Sequence, residues 1–137
     1  MASLTLELVA PDRVLFAGEV NAVLLPGSEG EMTVLPRHAP VIASLETGLI
    51  IATDVQGKEQ HLFVLGGFAE ITGDKVIVLA ERALHLEELT REYLDGEIGH
   101  LEAVRHATAS DVLRDRAARG ISRLERVRDG LPFRKSS

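Results

Sequence analysis

Three side chains between Pro26 and Pro40 have the chemistry of acid–base catalysis: Glu29, Glu31 and His38. Carboxylates and an imidazole can hold and move protons near neutral pH. Glu29 and Glu31 are two residues apart, so on an extended segment their side chains point the same way. A hydrolytic site also needs a cleft, and aromatic residues, which often line clefts, make up only 4% of the chain. We interpret the carboxylates as a solvated or partner-facing pair and keep a stand-alone hydrolase as the alternative.

Other catalytic and ligand-binding motifs do not occur in the sequence. The glycine-bearing run at residues 26–31 lacks the lysine and the following helix of a phosphate-binding P-loop, and there is no G-x-S-x-G motif. With no cysteine, disulfides and thiolate metal sites are excluded. His100 and His106, the close histidine pair on a predicted helix, are six residues apart and lie on different helix faces. We therefore expect no catalytic residue, no metal site and no cofactor.

The segment around His38 suits protein recognition. Pro36 and Pro40 bracket the histidine and stiffen its backbone. A rigid charged segment loses little entropy when it docks on another protein. Two interpretations remain open: His38 contacts a partner protein, or it caps a local turn.

Composition and charge limit the class of protein. A chain of 137 residues, 45% hydrophobic and 26% charged, is typical of one globular domain or of a domain with an appendage. The first residues lack the basic-then-apolar pattern of a signal peptide, and no apolar run is long enough to span a bilayer. We therefore expect membrane association only through a partner. The net charge is −6, and the acidic first half argues against a nucleic-acid partner.

Residues 1–84 have the pattern of short β-strands. Residues 4–8 alternate apolar and polar side chains, as a half-buried strand does. Similar β-rich runs follow at close spacing, separated by turn signals such as Ala17-Gly18 and Gly66-Gly67. This spacing predicts an antiparallel sandwich or barrel.

Residues 85–137 change to a helical period. Apolar residues recur every three or four positions between residues 86 and 104 and again between residues 113 and 127. The pattern predicts an antiparallel two-helix hairpin, with Ser110 capping the second helix. The first helix is acidic and the second basic. Either the opposite charges suit two neighbouring helices, or the basic helix docks on an acidic partner.

Several motifs together resemble a known family. The run Gly27-Ser28-Glu29-Gly30-Glu31, followed by Leu35-Pro36-Arg37-His38-Ala39-Pro40, is similar to the signature of the epsilon subunit of bacterial rotary, proton-translocating ATP synthases. Gly66-Gly67-Phe68-Ala69-Glu70 and Val78-Leu79-Ala80-Glu81 resemble later strand motifs of that family. Arg37 departs from the family pattern, which commonly has glycine at this position.

The resemblance implies a fold and a role. The fold is a flattened antiparallel β-sandwich of about ten strands in residues 1–84, followed by a helical hairpin in residues 85–137. The role is that of a non-catalytic rotor subunit in the central stalk, bound to the gamma subunit and resting on the ring of c subunits. Such a subunit couples ring rotation and proton transport to ATP synthesis in the catalytic head. It is a peripheral protein at the cytoplasmic face of the bacterial inner membrane.

The resemblance also implies contact residues. The ring-facing loop of the family matches Ser28, Glu29, Gly30 and Glu31. The segment near the gamma contact matches His38, Ala39 and Pro40.

In some family members the hairpin extends into the catalytic head and inhibits ATP hydrolysis, which makes it a candidate regulatory element that contacts the alpha and beta subunits. Six arginines supply the charge for that contact: Arg114, Arg116, Arg119, Arg123, Arg126 and Arg128. Other members bind ATP through an Ile/Leu-Asp-x-x-Arg-Ala stretch that opens the first helix. The counterpart here is Leu86-Glu87-Glu88-Leu89-Thr90-Arg91, where glutamate replaces aspartate and the arginine is shifted by one residue. We therefore predict weak or absent ATP binding.

Overall fold

The computed structural model describes residues 3–131, which contain nine β-strands and two α-helices. In chain order these elements are β1 (Leu4–Ala10), β2 (Arg13–Gly27), β3 (Gly30–Val34), β4 (His38–Leu45), β5 (Gly48–Asp54), β6 (Glu59–Val64), β7 (Gly67–Gly73), β8 (Lys75–Ala80), β9 (Ala83–His85), α1 (Arg91–Ala107) and α2 (Asp111–Gly130). A 3₁₀ turn, Leu86–Glu88, lies between β9 and α1. The chain forms two compact units, Met1–Glu87 and Glu88–Ser137.

The nine strands build a β-sandwich around the long strand β2. The hydrogen-bonded strand order is β1-β8-β7-β4-β2-β5-β6-β9, with β3 added to β2 and a further pairing of β1 with β2. All pairs are antiparallel except β1 with β8, which is parallel. The first part of β2 pairs with β1 and its second part with β5 and β3, so this strand joins both halves of the sandwich.

Side-chain alternation directs one face of β1, β5, β7 and β8 into a common apolar core. On β1, the fully buried Leu4, Leu6 and Leu8 alternate with half-buried neighbours. They share one cluster with Ile50 of β5 and Val78 of β8. Within residues 3–131 no polar or charged side chain is buried. Because each buried leucine or valine stabilises the fold by about 2 kcal/mol, this cluster holds the sandwich together.

The structure has nine strands in the described residues, in agreement with the expected sandwich of about ten strands, and it corrects one turn of the expected pattern. Ala17-Gly18 was interpreted as a turn but lies inside the single 15-residue strand β2, because Ala17 pairs with Glu7 and Gly18 with Leu6. The short strand β9, which pairs with β6, was not predicted.

The second unit is the predicted antiparallel hairpin. The Thr90 hydroxyl accepts a hydrogen bond from the Tyr93 N–H and caps α1, which therefore begins after the 3₁₀ turn and not near residue 86. The Ser110 hydroxyl accepts from the Leu113 N–H, which confirms the predicted cap of α2. Residues 132–137 of the predicted hairpin unit lie outside the described part of the chain.

Candidate interaction surfaces

The four residues predicted to face a c-ring lie at the tip of the β2–β3 hairpin. Gly27 pairs with Gly30 across the hairpin, so Ser28 and Glu29 form a two-residue turn and Glu31 lies on β3. All four predicted residues of this tip, 28–31, are exposed. The tip therefore presents two carboxylates on a short, accessible turn.

Backbone hydrogen bonds fix this tip to the neighbouring strand. The Ser28 N–H donates to the Ser44 carbonyl at 2.9 Å, and the Glu46 N–H donates to the Pro26 carbonyl at 2.8 Å. The first bond joins the hairpin to β4, and the second joins it to the β4–β5 connection. Because its backbone is held on both strands, the tip is prepared for docking with little further loss of entropy.

The structure does not assemble the alternative hydrolytic site. Glu29 lies in the turn and Glu31 on β3, so the two carboxylates do not alternate along one extended segment as predicted. His38 begins β4, whereas Leu45 at the other end of β4 pairs with Gly27 beside the tip. Seven residues of strand separate the two ends by about 20 Å. That distance excludes a shared acid–base site of the two glutamates and His38.

The predicted gamma-contact segment forms a rigid, exposed bulge. His38 pairs with Gly73 of β7 and Val41 pairs with Ile71, so β4 has one more residue than β7 between these pairs. The bulge contains Ala39 and Pro40, both exposed, and a proline is tolerated there because no ladder hydrogen bond is required of it.

The His38 ring is bonded to its own segment. Its Nδ1 lies 2.7 Å from the Ala39 carbonyl, so Nδ1 carries the proton and donates it. This contact gives the ring a local partner, as in the turn-capping interpretation. The other ring nitrogen, Nε2, is left available for a partner molecule, so both sequence interpretations remain compatible with the geometry.

Arg37 occupies a backbone conformation that suits glycine. Its φ is 67°, and it follows Pro36 in the turn between β3 and β4. Proline followed by a residue of positive φ is the arrangement of a type II turn, in which that residue is usually glycine or asparagine. The left-handed conformation costs an L-residue about 1–2 kcal/mol. The Arg37 N–H offsets part of this cost by donating to Asp74 Oδ1 at 2.9 Å.

An apolar surface that was not predicted crosses the outer face of the sandwich. Phe68 of β7 is opposite Leu79 of β8, Leu79 is opposite Val9 of β1, and Val9 is opposite Val14 of β2. Directly opposed residues share a face. Phe68, Leu79 and Val14 are 56%, 57% and 62% exposed, and Val9 is half-buried. Ile42 of β4, which is opposite Glu70 and diagonal to Phe68, is 73% exposed. We call Val9, Val14, Ile42, Phe68 and Leu79 the apolar row.

The apolar row spans β4, β7, β8, β1 and β2, a width of about 19 Å at the usual strand spacing. Contiguous exposed apolar surface of this kind marks a binding site for another molecule. The sequence held one signal of it: residues 76–80 are apolar without interruption. Such a run indicates a strand covered on both faces, not on one.

The six arginines predicted to contact the catalytic head separate into two groups. Arg114 donates to Asp111 Oδ1 at 2.8 Å and to the Thr108 carbonyl at 3.4 Å, so it holds the connection between the helices. Arg128 of α2 donates to Asp95 of α1 at 2.9 Å.

The Asp95 carboxylate, and after it Asp129, raises the pKa of Arg128 above its ordinary value. Arg128 is therefore an internal link of the hairpin.

The other four arginines form a basic face on α2. Their spacing of three, four and three residues puts them within an arc of about 80° on the helix. The face consists of Arg116, Arg119, Arg123 and Arg126. The buried residues of α2 lie on a different side of the helix: Ala117, Ile121 and Leu124. The hairpin thus presents a row of positive charge away from its own buried side.

The segment aligned with the ATP-binding stretch is not one helix. Leu86–Glu88 is a 3₁₀ turn, Thr90 is the cap, and Arg91 is the first residue of α1. Arg91 therefore does not share a helix with Leu86, Glu87 and Glu88. The weak or absent ATP binding stays a prediction.

Within residues 3–131, no cluster of metal-ligating side chains exists. No helix in that range has the length and apolar character needed to cross a bilayer.

Sequence comparison places this geometry in a family. Residues 3–86 match the family model described as ATP synthase, Delta/Epsilon chain, beta-sandwich domain. An ATP synthase epsilon chain of Jannaschia sp. (strain CCS1) is 40% identical over 119 residues, 87% of this chain and 89% of that relative. This chain belongs to the ATP synthase epsilon chain family. Another epsilon chain, from Bradyrhizobium sp. (strain ORS 278), is 37% identical over 131 residues, 96% of both chains.

Two solved structures share the fold. A chain of the Euglena gracilis mitochondrial ATP synthase, in a structure of OSCP, F1 and c-ring, superimposes with a TM-score of 0.76 at 24% identity, covering 96% of this chain and 83% of its own. A chain from a structure of the Tetrahymena thermophila mitochondrial ATP synthase central stalk and c-ring superimposes with a TM-score of 0.60 at 8% identity. The superposition covers 91% of this chain and 96% of that chain. The predicted epsilon family and the predicted sandwich-plus-hairpin fold are confirmed. As a member of the epsilon family, the chain is a non-catalytic subunit of an ATP synthase.

Proposed function

We propose that this epsilon chain is a rotor subunit in the central stalk of a bacterial proton-translocating ATP synthase. It binds the gamma subunit and rests on the c-subunit ring, so that ring rotation is coupled to ATP synthesis in the catalytic head. It lies at the cytoplasmic face of the inner membrane and reaches the membrane only through the complex. The observation that carries the proposal is that one rigid sandwich presents two contact surfaces of different chemistry, an acidic tip and an apolar row.

The acidic tip is the surface for the ring. Glu29 and Glu31 are exposed, and the backbone bonds of Ser28 and Pro26 fix their position. Two carboxylates on a fixed turn attract a basic polar loop, and such an attraction weakens with salt.

The ring contact is tested by replacing both tip carboxylates with glutamine. The Glu29→Gln/Glu31→Gln variant should bind isolated c-rings more weakly at low salt and lose most of the salt dependence. Glu59→Gln, which removes an exposed carboxylate from β6, is the control. Equal binding by the double variant and the wild type would exclude the tip as the ring contact.

The gamma surface combines the bulge with the apolar row. Residues 38–40 are stiffened by the bulge and by Pro40, and β4 continues from them to Ile42 of the row. A rigid polar edge beside an exposed apolar area has the anatomy of a protein interface, with an apolar centre and a polar rim. Gamma is the partner protein that the resemblance to the epsilon family implies for such a surface.

The gamma contact is tested by calorimetry with purified gamma and the full-length chain. Phe68→Ser should weaken binding at least tenfold, because the one large aromatic side chain of the row is removed. Val55→Ser is the control. Val55 is 57% exposed, as Leu79 of the apolar row is, but it lies outside the row, in the turn after β5. If both variants bind gamma as the wild type does, the row is not the gamma surface.

The basic face of α2 supports a second function, inhibition of ATP hydrolysis through contact with the alpha and beta subunits. Arg116, Arg119 and Arg126 are exposed on this face. Arg114 is equally basic but engaged at the helix connection. Replacing the three exposed arginines with alanine should raise ATP hydrolysis by the assembled enzyme, whereas Arg114→Ala should not. Unchanged hydrolysis in the triple variant would exclude this regulatory contact.

A further inference from the structure

Arg37 combines a turn conformation that suits glycine with a side chain that the turn does not use. Its φ of 67° is the only positive value at a non-glycine residue within 3–131, and glycine adopts it without strain. Its side chain is exposed, and its guanidinium makes no ion pair or hydrogen bond with that part of the chain. The turn is held instead by the backbone N–H of Arg37 and the carboxylate of Asp74. The fold therefore uses the backbone at this position and leaves the arginine side chain without an internal role.

Arg37 adjoins the proposed gamma surface along the chain. It directly precedes residues 38–40 and is on the chain segment that continues along β4 to Ile42 of the apolar row. Arginine is enriched at protein interfaces, and polar groups occupy their rims. A charge at a rim orients the partner and suppresses incorrect docking more than it adds affinity.

We propose that Arg37 is a specificity-determining residue of the gamma interface, whose guanidinium pairs with a carboxylate of gamma when the apolar row is covered. The proposal rests on the proposed function, because gamma must bind this face. A backbone conformation held against its intrinsic preference is a reason to look for function at that residue. The guanidinium binds a carboxylate through two parallel hydrogen bonds, which lysine cannot reproduce.

The test compares Arg37→Gly and Arg37→Lys with the wild-type chain. Arg37→Gly should raise the melting midpoint of the β-sandwich by about 4 °C, because the strain is removed. The same variant should bind gamma about fivefold more weakly at low salt, with a smaller salt dependence. Arg37→Lys should recover only part of the affinity. Stability and partner affinity thus move in opposite directions, which a merely structural turn residue would not produce.

Lys58→Gly is the matched control. Lys58 is also an exposed cation in a turn, and its backbone N–H donates to Asp54 Oδ1 at 2.9 Å, as that of Arg37 does to Asp74. It should leave gamma affinity unchanged.

Wild-type affinity in Arg37→Gly, or an equal loss in Lys58→Gly, would overturn the role of Arg37 while the stalk function stands. If the wild-type chain does not bind gamma at all, the proposed function fails and this inference fails with it.

Discussion

At the scale of single residues, Gly67 has the strictest requirement for the absence of a side chain. Its φ is 140°, and a Cβ there would lie 2.3 Å from the Leu79 carbonyl oxygen and 2.9 Å from the Ala80 Cα. Since these atoms are backbone of the paired strand β8, they cannot move aside as a side chain can. We expect Gly67→Ala to destabilise the protein by about 3 kcal/mol or more, measured by urea denaturation.

A substitution at Gly57 shows how much of that destabilisation comes from backbone strain without steric overlap. It also has a positive φ, 83°, but a Cβ there would meet nothing within 4 Å. Gly57→Ala should therefore cost only the conformational strain, about 1 kcal/mol. Equal losses in the two variants would contradict the steric explanation for Gly67.

Glu19 predicts a pH dependence of stability. The Ser3 hydroxyl, at 2.5 Å, and then the Thr5 hydroxyl, at 2.6 Å, lower the pKa of Glu19 below its usual 4.5. A folded-state pKa below the unfolded value means that the stabilisation is present above the unfolded pKa and disappears as the pH falls through the folded one. The stability difference between wild type and Glu19→Gln should be constant above about pH 5 and shrink below pH 4. A difference that does not change between pH 3 and 6 would show that these hydrogen bonds do not favour the charged form.

At the scale of elements, α1 contains two glycines that its packing does not require. A Cβ at Gly96 or Gly99 would meet nothing within 4 Å. Alanine at each position should stabilise the helix by about 1 kcal/mol, seen as a higher melting midpoint of the helical circular dichroism signal. Gly120 on α2 is the contrast, because a Cβ there would lie 2.9 Å from Leu101 Cδ1. If Gly96→Ala and Gly120→Ala stabilise equally, the packing of Gly120 against Leu101 is looser than described.

The sequence predicted those elements whose signal is local. The alternation at residues 4–8 and the Ser110 cap depend on a few neighbouring residues, and both are found as predicted. Ala17-Gly18 was wrong as a turn because its conformation depends on pairing with β1, which is a tertiary effect. The apolar row was missed for the same reason. Phe68 and Leu79 are both apolar strand residues, and only the register shows that they meet on an exposed face.

At the scale of the whole molecule, the two units differ in how much apolar surface they bury within themselves. The core cluster lies entirely within the strands, in the unit Met1–Glu87. The hairpin has α-helices of 17 and 20 residues with few buried side chains, and helices of this length are marginal in water without packing. The two units should therefore differ in their ability to fold alone.

A chain ending at residue 87 tests this difference and separates coupling from regulation. We expect it to unfold cooperatively in urea and to keep its affinity for gamma, because the apolar row, Arg37 and residues 38–40 all lie in the first unit. A peptide of residues 88–137 should be far less helical by circular dichroism than the hairpin of the full chain. An assembled enzyme that contains the shortened chain should still synthesise ATP but should hydrolyse ATP faster than the wild-type enzyme, because the basic face of α2 is missing. A shortened chain that folds cooperatively yet fails to bind gamma would show that the hairpin belongs to the gamma contact, and coupling and regulation could not then be assigned to separate units.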